Sequence, residues 1–118
     1  MKSILLIDDS KTIRTSIKNS IKSDIDIELN IIEAKDSKEA IHVLTENRVD
    51  LIITDLEMGG NDGELLITKL SNNPLLKKKA IIVFSSKKLG ISVSENITYI
   101  AKPDVKLLCK TISNILKA

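Results

Sequence analysis

Residues 49–63 read Val-Asp-Leu-Ile-Ile-Thr-Asp-Leu-Glu-Met-Gly-Gly-Asn-Asp-Gly. Within them, Leu51-Ile52-Ile53 is an apolar run rich in β-branched residues and too short to mark a helix by itself. Such a run reads as a strand covered on both faces, the kind at the centre of a parallel sheet. It leads into Asp55, a carboxylate where the chain leaves the core, and then into a loop carrying Gly59, Gly60 and Gly63. Open α/β sheets bind their ligands just beyond the carboxyl ends of the strands. An acid at that position is well placed for chemistry.

The flanking sequence supplies the rest of a sheet. Ser3 to Ile7 is a second continuous apolar run, ending in Asp8-Asp9-Ser10. Ser10 is suited to cap a helix whose inner stripe is Ile13, Ile17 and Ile21. Residues 27–34 form a more polar strand, where Glu28 and Asn30 alternate with apolar neighbours as on an edge. Asp36 and Glu39 open a second helix in capping-box fashion; Ala40, Val43 and Leu44 face inward, and it ends near Asn47. A third helix covers about 63–70, with Leu66, Ile67 and Leu70 inward and Asn72-Asn73-Pro74 closing it. Residues 80–84 make a fourth strand ending in Ser85-Ser86, and 98–101 a fifth followed by Lys102-Pro103. A last helix, from about Asp104 to Leu116, carries Val105, Leu108, Ile112 and Ile115 at helical spacing. Alternating strands and helices predict a parallel sheet with helices on both faces and right-handed crossovers. Between the fourth and fifth strands, Gly90 and β-branched residues alternating with serines predict at most one helical turn.

A length of 118 residues suits one domain, 1–118, with one core. Phe84 and Tyr99 are the only aromatics, so that core must be aliphatic. The sequence shows neither a leader nor a membrane-length apolar run. The single cysteine, Cys109, excludes an internal disulfide and fits a reducing cytoplasm. It reads as inert core, Met58 as packing, and His42 has no role. Residues 1–59 carry 8 basic and 12 acidic side chains, whereas 60–118 carry 10 and 4. The basic runs Lys77-Lys78-Lys79 and Lys87-Lys88 are short and lack aromatics on which bases could stack, so a solvated basic face is expected rather than nucleic-acid binding.

The predicted sheet brings Asp8, Asp9, Asp55, Ser85 and Lys102 to one edge. Three converging carboxylates repel and raise one another's pKa values. A hard divalent cation removes the conflict, and Mg2+ takes a few carboxylates plus waters and bridges to phosphate oxygens. The lysine and the serine hydroxyl remain for the other oxygens of a phosphoryl group. The set suits attack by a carboxylate on phosphorus, giving an aspartyl phosphate. Singly, each residue has a plainer reading: Asp8-Asp9-Ser10 as a helix cap, Asp55 as a solvated loop acid, Lys102-Pro103 as a strand end, Tyr99 as a half-buried residue with its hydroxyl in water. Their convergence at strand ends argues for a site.

With Asp8-Asp9, Asp55-Leu-Glu-Met58, Asp62-Gly63, Ser85-Ser86 and Lys102-Pro103 in this order, the sequence resembles the receiver domains of two-component response regulators, the CheY type, over essentially its whole length. The resemblance implies a flavodoxin-like, doubly wound five-stranded parallel sheet of order 2-1-3-4-5, an order for which CheY is itself a standard example. It implies that Asp55 is the phosphoacceptor. Mg2+ would be held by Asp9 directly, by Asp8 mainly through water, by Asp55, and by the backbone carbonyl of Glu57. Ser85 would be the switch hydroxyl, Lys102 the phosphoryl-oxygen partner, and Tyr99 the aromatic whose rotamer follows Ser85. Glu57 and Lys87 would tune dephosphorylation. Implied partners are a sensor histidine kinase or phosphotransfer protein and a downstream protein target, with no nucleic acid and no membrane insertion. The domain would catalyse only its own phosphorylation and dephosphorylation, in the cytoplasm. The chain ends just past the last helix, so it is expected to act alone, through protein contacts, in chemotaxis or a phosphorelay. Two alternatives remain: an interaction module that keeps the fold without phosphorylation, against which Asp9, Asp55 and Lys102 argue, and a phosphatase using Glu57 as general acid.

The sequence departs from the family at three places. Gly59-Gly60 replaces the usual proline after the methionine and loosens the loop. Amide exchange in 56–62 is therefore expected to slow when Mg2+ is added; equal protection with and without it would count against this. Glu57 and Lys87 are expected to pair across the mouth of the site and hinder water, modestly, since exposed pairs contribute ~0–1 kcal/mol. Helix four is expected to be shortened or absent, which bears on the face of helix four, strand five and helix five through which receivers commonly signal. Residues 86–97 would then be a loop that orders on phosphorylation, with Lys87 and Lys88 answering about −1.5 to −2 added charges.

Overall fold

Five parallel strands form one sheet in the order β2-β1-β3-β4-β5. They are β1 (Lys2–Ile7), β2 (Leu29–Ala34), β3 (Leu51–Thr54), β4 (Ala80–Ser85) and β5 (Ile97–Ala101). The helices are α1 (Lys11–Asp24), α2 (Ser37–Glu46), α3 (Asp62–Ser71) and α4 (Val105–Lys117). The structure, a computed structural model, describes residues 1–60, 62–87 and 95–117. The flavodoxin-like order expected from the family resemblance is the order observed.

Every residue of β3 is buried, because both faces of the sheet are covered. Ile4 and Leu6 of β1, Leu51 and Ile53 of β3, and Ile82 and Phe84 of β4 pack with α1 and α4 on one face. Leu5, Ile7, Ile52, Ile81 and Val83 pack with α2 and α3 on the other. Alternate residues thus face opposite cores, and each buried aliphatic side chain contributes about 1.5–3 kcal/mol of transfer free energy. Met58 lies in the second core, as its packing role requires.

Both predicted caps form. The Ser10 hydroxyl accepts from the Ile13 N–H at 3.3 Å, and the Asp36 carboxylate accepts from the Glu39 N–H at 2.8 Å. Each satisfies a backbone donor that the helix leaves free. Strand β2 begins at Leu29 rather than at 27, at the edge of the sheet where few residues are fully buried. There Glu33 accepts from Arg14 at 2.9 Å and Lys18 at 3.1 Å, fastening α1 across the edge strand. Those two cations, Lys18 first, hold the Glu33 carboxyl below its usual range.

The inner stripe of α4 is turned slightly from the predicted one. Leu108, Cys109, Ile112 and Leu116 are buried, while Val105 and Ile115 are only partly covered. Burial, and the charge of Asp24, push the Cys109 thiol pKa up, which keeps it protonated and inert. In α2, Ala40 is the buried contact and Val43 and Leu44 are partly covered. The Lys102–Pro103 peptide is cis. Among the described residues, no helix is long and apolar enough to cross a membrane. The expectation that helix four is shortened or absent, and that this loop orders on phosphorylation, falls on 88–94, outside the described residues; Ser86 and Lys87 form a bend and Glu95 and Asn96 a turn.

Candidate functional site

Strand register decides which side chains meet. Ile7 of β1 lies beside Thr54 of β3, and Thr54 beside Val83 of β4. Asp8 and Asp55 are therefore each one residue past paired strand ends, and the Asp55 N–H donates to the Ile7 carbonyl at 3.1 Å. On the other side Ser85 pairs with Ala101, and the Lys102 N–H donates to the Ser85 carbonyl at 3.1 Å. Parallel strands ending together bring four segments of distant sequence to one edge.

The centre of that edge is a lysine held between two carboxylates. Lys102 Nζ lies 3.0 Å from Asp8 Oδ2 and 2.8 Å from Asp55 Oδ2. Asp8 and Asp55 are 3% and 6% exposed, so both charges need partners inside the protein. Each second oxygen finds a backbone donor: Asp8 Oδ1 accepts from the Ser10 N–H at 2.9 Å, Asp55 Oδ1 from the Glu57 N–H at 3.1 Å. Burial pushes the Asp55 pKa up, but hydrogen bonds from Lys102, the Glu57 N–H and the Ser85 hydroxyl outweigh it and hold the carboxyl below its ordinary range. Burial likewise pulls Lys102 down, and Asp55 and Asp8 more than reverse it. Asp55 is thus ionised at neutral pH. The expected mutual rise of carboxylate pKa values does not hold for Asp55, because Lys102 is itself the cation between them.

The remaining predicted residues divide. Asp9 is exposed, in the bend after Asp8. Ser85 is fully buried at the end of β4, its hydroxyl also accepting from the Lys87 N–H at 3.1 Å. Tyr99 is 37% exposed, and its hydroxyl donates to the Ser85 carbonyl at 3.0 Å. Glu57 and Lys87 do not pair. Lys87 Nζ is 2.9 Å from Glu64 of α3, and Glu57 accepts from the Ser86 hydroxyl at 3.0 Å. Glu64 is the less exposed acid, at 23% for its side chain, and water screens its attraction for the lysine less. The ion pair expected across the mouth is replaced by one reaching to α3.

For a metal, the donors shown beside Lys102 are the carboxylates of Asp8 and Asp55, with the exposed Asp9 next in sequence to the first and Glu57 two residues after the second. Among the described residues, no three His, Cys, Asp or Glu side chains cluster as a complete cage. Mg2+ requires no such cage: it binds one or two carboxylates and retains waters. The all-oxygen donor set, with two buried carboxylates held one residue beyond paired strand ends, fits that ion.

Three contacts were not foreseen. Ser37, the first residue of α2, donates to Asp62 through its N–H at 3.0 Å and its hydroxyl at 2.6 Å, tying α2 to the start of α3. Arg14 donates to the Asp8 carbonyl. Gly63 lies against the backbone of Asp55 and Leu56, closer than any side chain allows. Only the last had a signal in the sequence, a glycine where a helix begins beside a strand end.

The profile of the family described as response regulator receiver domain matches residues 4–113. The transcriptional regulatory protein YvrH of Bacillus subtilis is 36% identical over 104 residues, covering 86% of this chain and 43% of that protein. The chain therefore spans less than half the length of this relative. The response regulator TrrA of Thermotoga maritima, in complex with Mg2+ and BeF, superposes with a TM-score of 0.81 at 24% identity, over 98% of this chain and 99% of that one. The chemotaxis response regulator CheY4 of Vibrio cholerae gives a TM-score of 0.77 at 21% identity, over 98% of each chain. At those identities the two structures share the fold.

Proposed function

The chain belongs to the response regulator receiver family, whose role is that of a two-component phosphoacceptor, and on that premise we propose that Asp55 is the residue that takes the phosphoryl group. The observation that carries this reading is the lysine clasped between two buried strand-end carboxylates, at 3.0 and 2.8 Å. The donor is a phosphohistidine of a sensor kinase or phosphotransfer protein. An Asp55 carboxylate oxygen attacks phosphorus as the bond to the imidazole nitrogen breaks, giving an aspartyl phosphate and a free histidine. The lowered Asp55 pKa supports the role, since only the ionised carboxylate is a nucleophile.

Mg2+, held by Asp8, Asp9, Asp55 and the Glu57 carbonyl when bound, supplies positive charge to the transferred oxygens. Lys102 exchanges its hold on Asp55 Oδ2 for a phosphoryl oxygen while keeping Asp8. The Ser85 hydroxyl, which accepts from the Lys87 N–H, turns to the phosphoryl group, and Tyr99 follows because its hydroxyl is bonded to the Ser85 carbonyl. Glu57 and Lys87 set the access of water. Residues 1–118 are read as one receiver domain of the cytoplasm that signals by switching protein contacts, in chemotaxis or a phosphorelay, and turns over no separate substrate.

Incubation with acetyl phosphate and Mg2+, followed by intact-mass measurement, is expected to show one added phosphoryl group on the wild type and none on Asp55→Asn. Full labelling of Asp55→Asn would remove Asp55 from the role. A wild type that stays unlabelled with both acetyl phosphate and phosphoramidate would favour a pure interaction module.

A further inference from the structure

We propose that the groove between α2 and the loop leaving α3 is a docking surface for a partner protein that presents an amphipathic helix with acidic flanks. The groove holds about 860 Å³. Its apolar lining is the partly buried Ile41, Leu44 and Leu76 with the exposed Leu75, and Lys38 and Lys69 also line it. It uses no described residue of β5 or α4, and so lies apart from the face through which receivers commonly signal.

Leu75 is 90% exposed, and it is not on a loose strand of chain. Its own N–H donates to Asn73 Oδ1 at 2.9 Å, and the N–H groups of Leu76 and Lys77 both donate to the Asn73 carbonyl, at 3.0 and 2.8 Å. A hydrogen-bonded turn after α3 therefore holds a leucine out into water. Beside the partly buried Ile41, Leu44 and Leu76 it extends one apolar patch, and a contiguous patch marks a docking surface where a scattered surface leucine does not.

The chemistry of the lining selects the occupant. Small-molecule sites carry a few convergent polar groups. Here the buried polar residue at the edge, Ser37, is already committed to Asp62. No aromatic lines the groove among the described residues, which removes the platform on which bases stack. Its described charged lining consists of lysines without an acid, and Lys77-Lys78-Lys79 follow directly. An apolar strip between lysines complements a helix with apolar anchors at i, i+3, i+4 and i+7 and glutamates beside them.

The test is an amide chemical-shift titration of the full chain with a synthetic helical peptide of roughly 15 residues. It carries leucines at those four positions flanked by glutamates; a second peptide has lysine for each glutamate. The acidic peptide is expected to bind saturably, shifting the amides of Ile41, Leu44, Leu75 and Leu76. Leu75→Ser and Lys69→Glu, both at exposed positions, should each weaken it about tenfold, equivalent to about 1.4 kcal/mol. Equal binding of the basic peptide, shifts elsewhere, or no saturation up to about 1 mM would overturn the proposal. So would self-association that Leu75→Ser abolishes, or tighter binding to phosphatidylserine vesicles than to the peptide, since those make a second copy or a membrane the occupant.

Discussion

Lys102→Ala is expected to destabilise the unphosphorylated protein by about 3 kcal/mol at neutral pH, the low end for breaking a buried ion pair, because the lysine side chain is itself 20% exposed. The loss comes less from the bonds removed than from what stays behind: two carboxylates, 3% and 6% exposed, at adjacent strand ends with no cation between them. Its pH dependence distinguishes this from a packing defect. In the wild type, the lowered Asp55 pKa contributes stability above the ordinary value of 3.8 and loses it as pH falls through the folded value. The raised Lys102 pKa contributes below the ordinary 10.5 and loses it as pH rises through the folded value. Between those limits the cluster's contribution is flat. Without the lysine, the burial that raises the Asp55 pKa loses its strongest opponent, so that protonation costs the variant less than it costs the wild type. The gap between variant and wild type should then narrow as pH falls from 7 towards 4. Mg2+ should restore more stability to the variant than to the wild type, since it replaces an ammonium only in the former. Urea denaturation at the two pH values, with and without Mg2+, reads all of this. A gap independent of pH, or equal stabilisation of both proteins by Mg2+, would contradict it.

The same cluster separates what was legible in the sequence from what was not. Leu51-Ile52-Ile53 read as a central strand because it is short and β-branched, and an acid just beyond each of two such strands places both at one sheet edge once the strands are parallel. The caps at Ser10 and Asp36 were legible because a cap bonds within three residues of itself. Partner choice among charges was not. Lys87 had Glu57 and Glu64 available, and burial of Glu64, a tertiary property, decided between them. Ser37 and Asp62 are 25 residues apart, with no periodicity to link them. In α4, Ile115 and Leu116 are both apolar, and helical spacing tolerates either as the inner residue; the orientation of the helix on the sheet chose Leu116.

Gly63→Ala is expected to disturb the site more than any substitution in the glycine loop before it. A β-carbon at Gly63 would lie 2.5 Å from the Leu56 Cα, 2.6 Å from the Asp55 carbonyl oxygen and 2.8 Å from the Leu56 carbonyl oxygen. All three are backbone atoms, so no side chain can swing aside. Alanine ordinarily favours a helix over glycine by about 1 kcal/mol, and here that preference is overridden by an overlap costing typically 1–3 kcal/mol, or more where the surroundings are rigid. They are rigid: Leu56 is fully buried, and Asp55 is fixed through its backbone to β1 and through its carboxylate to Lys102. Relief must come from moving α3 away or from moving the Asp55–Leu56 backbone, and the second draws the carboxylate from Lys102 and the Glu57 N–H. A net loss of about 2 kcal/mol is expected in urea denaturation, together with slower labelling by acetyl phosphate. Gly60→Ala is the control. Nothing lies within 4 Å of its added carbon, but its φ of +58° lies in the left-handed region, which costs a residue with a side chain about 1–2 kcal/mol without any clash. Its labelling rate should therefore change far less than its stability. Gly63→Ala labelling at the wild-type rate would mean that the helix start can withdraw without taking Asp55 with it, and that this close approach does not position the acceptor.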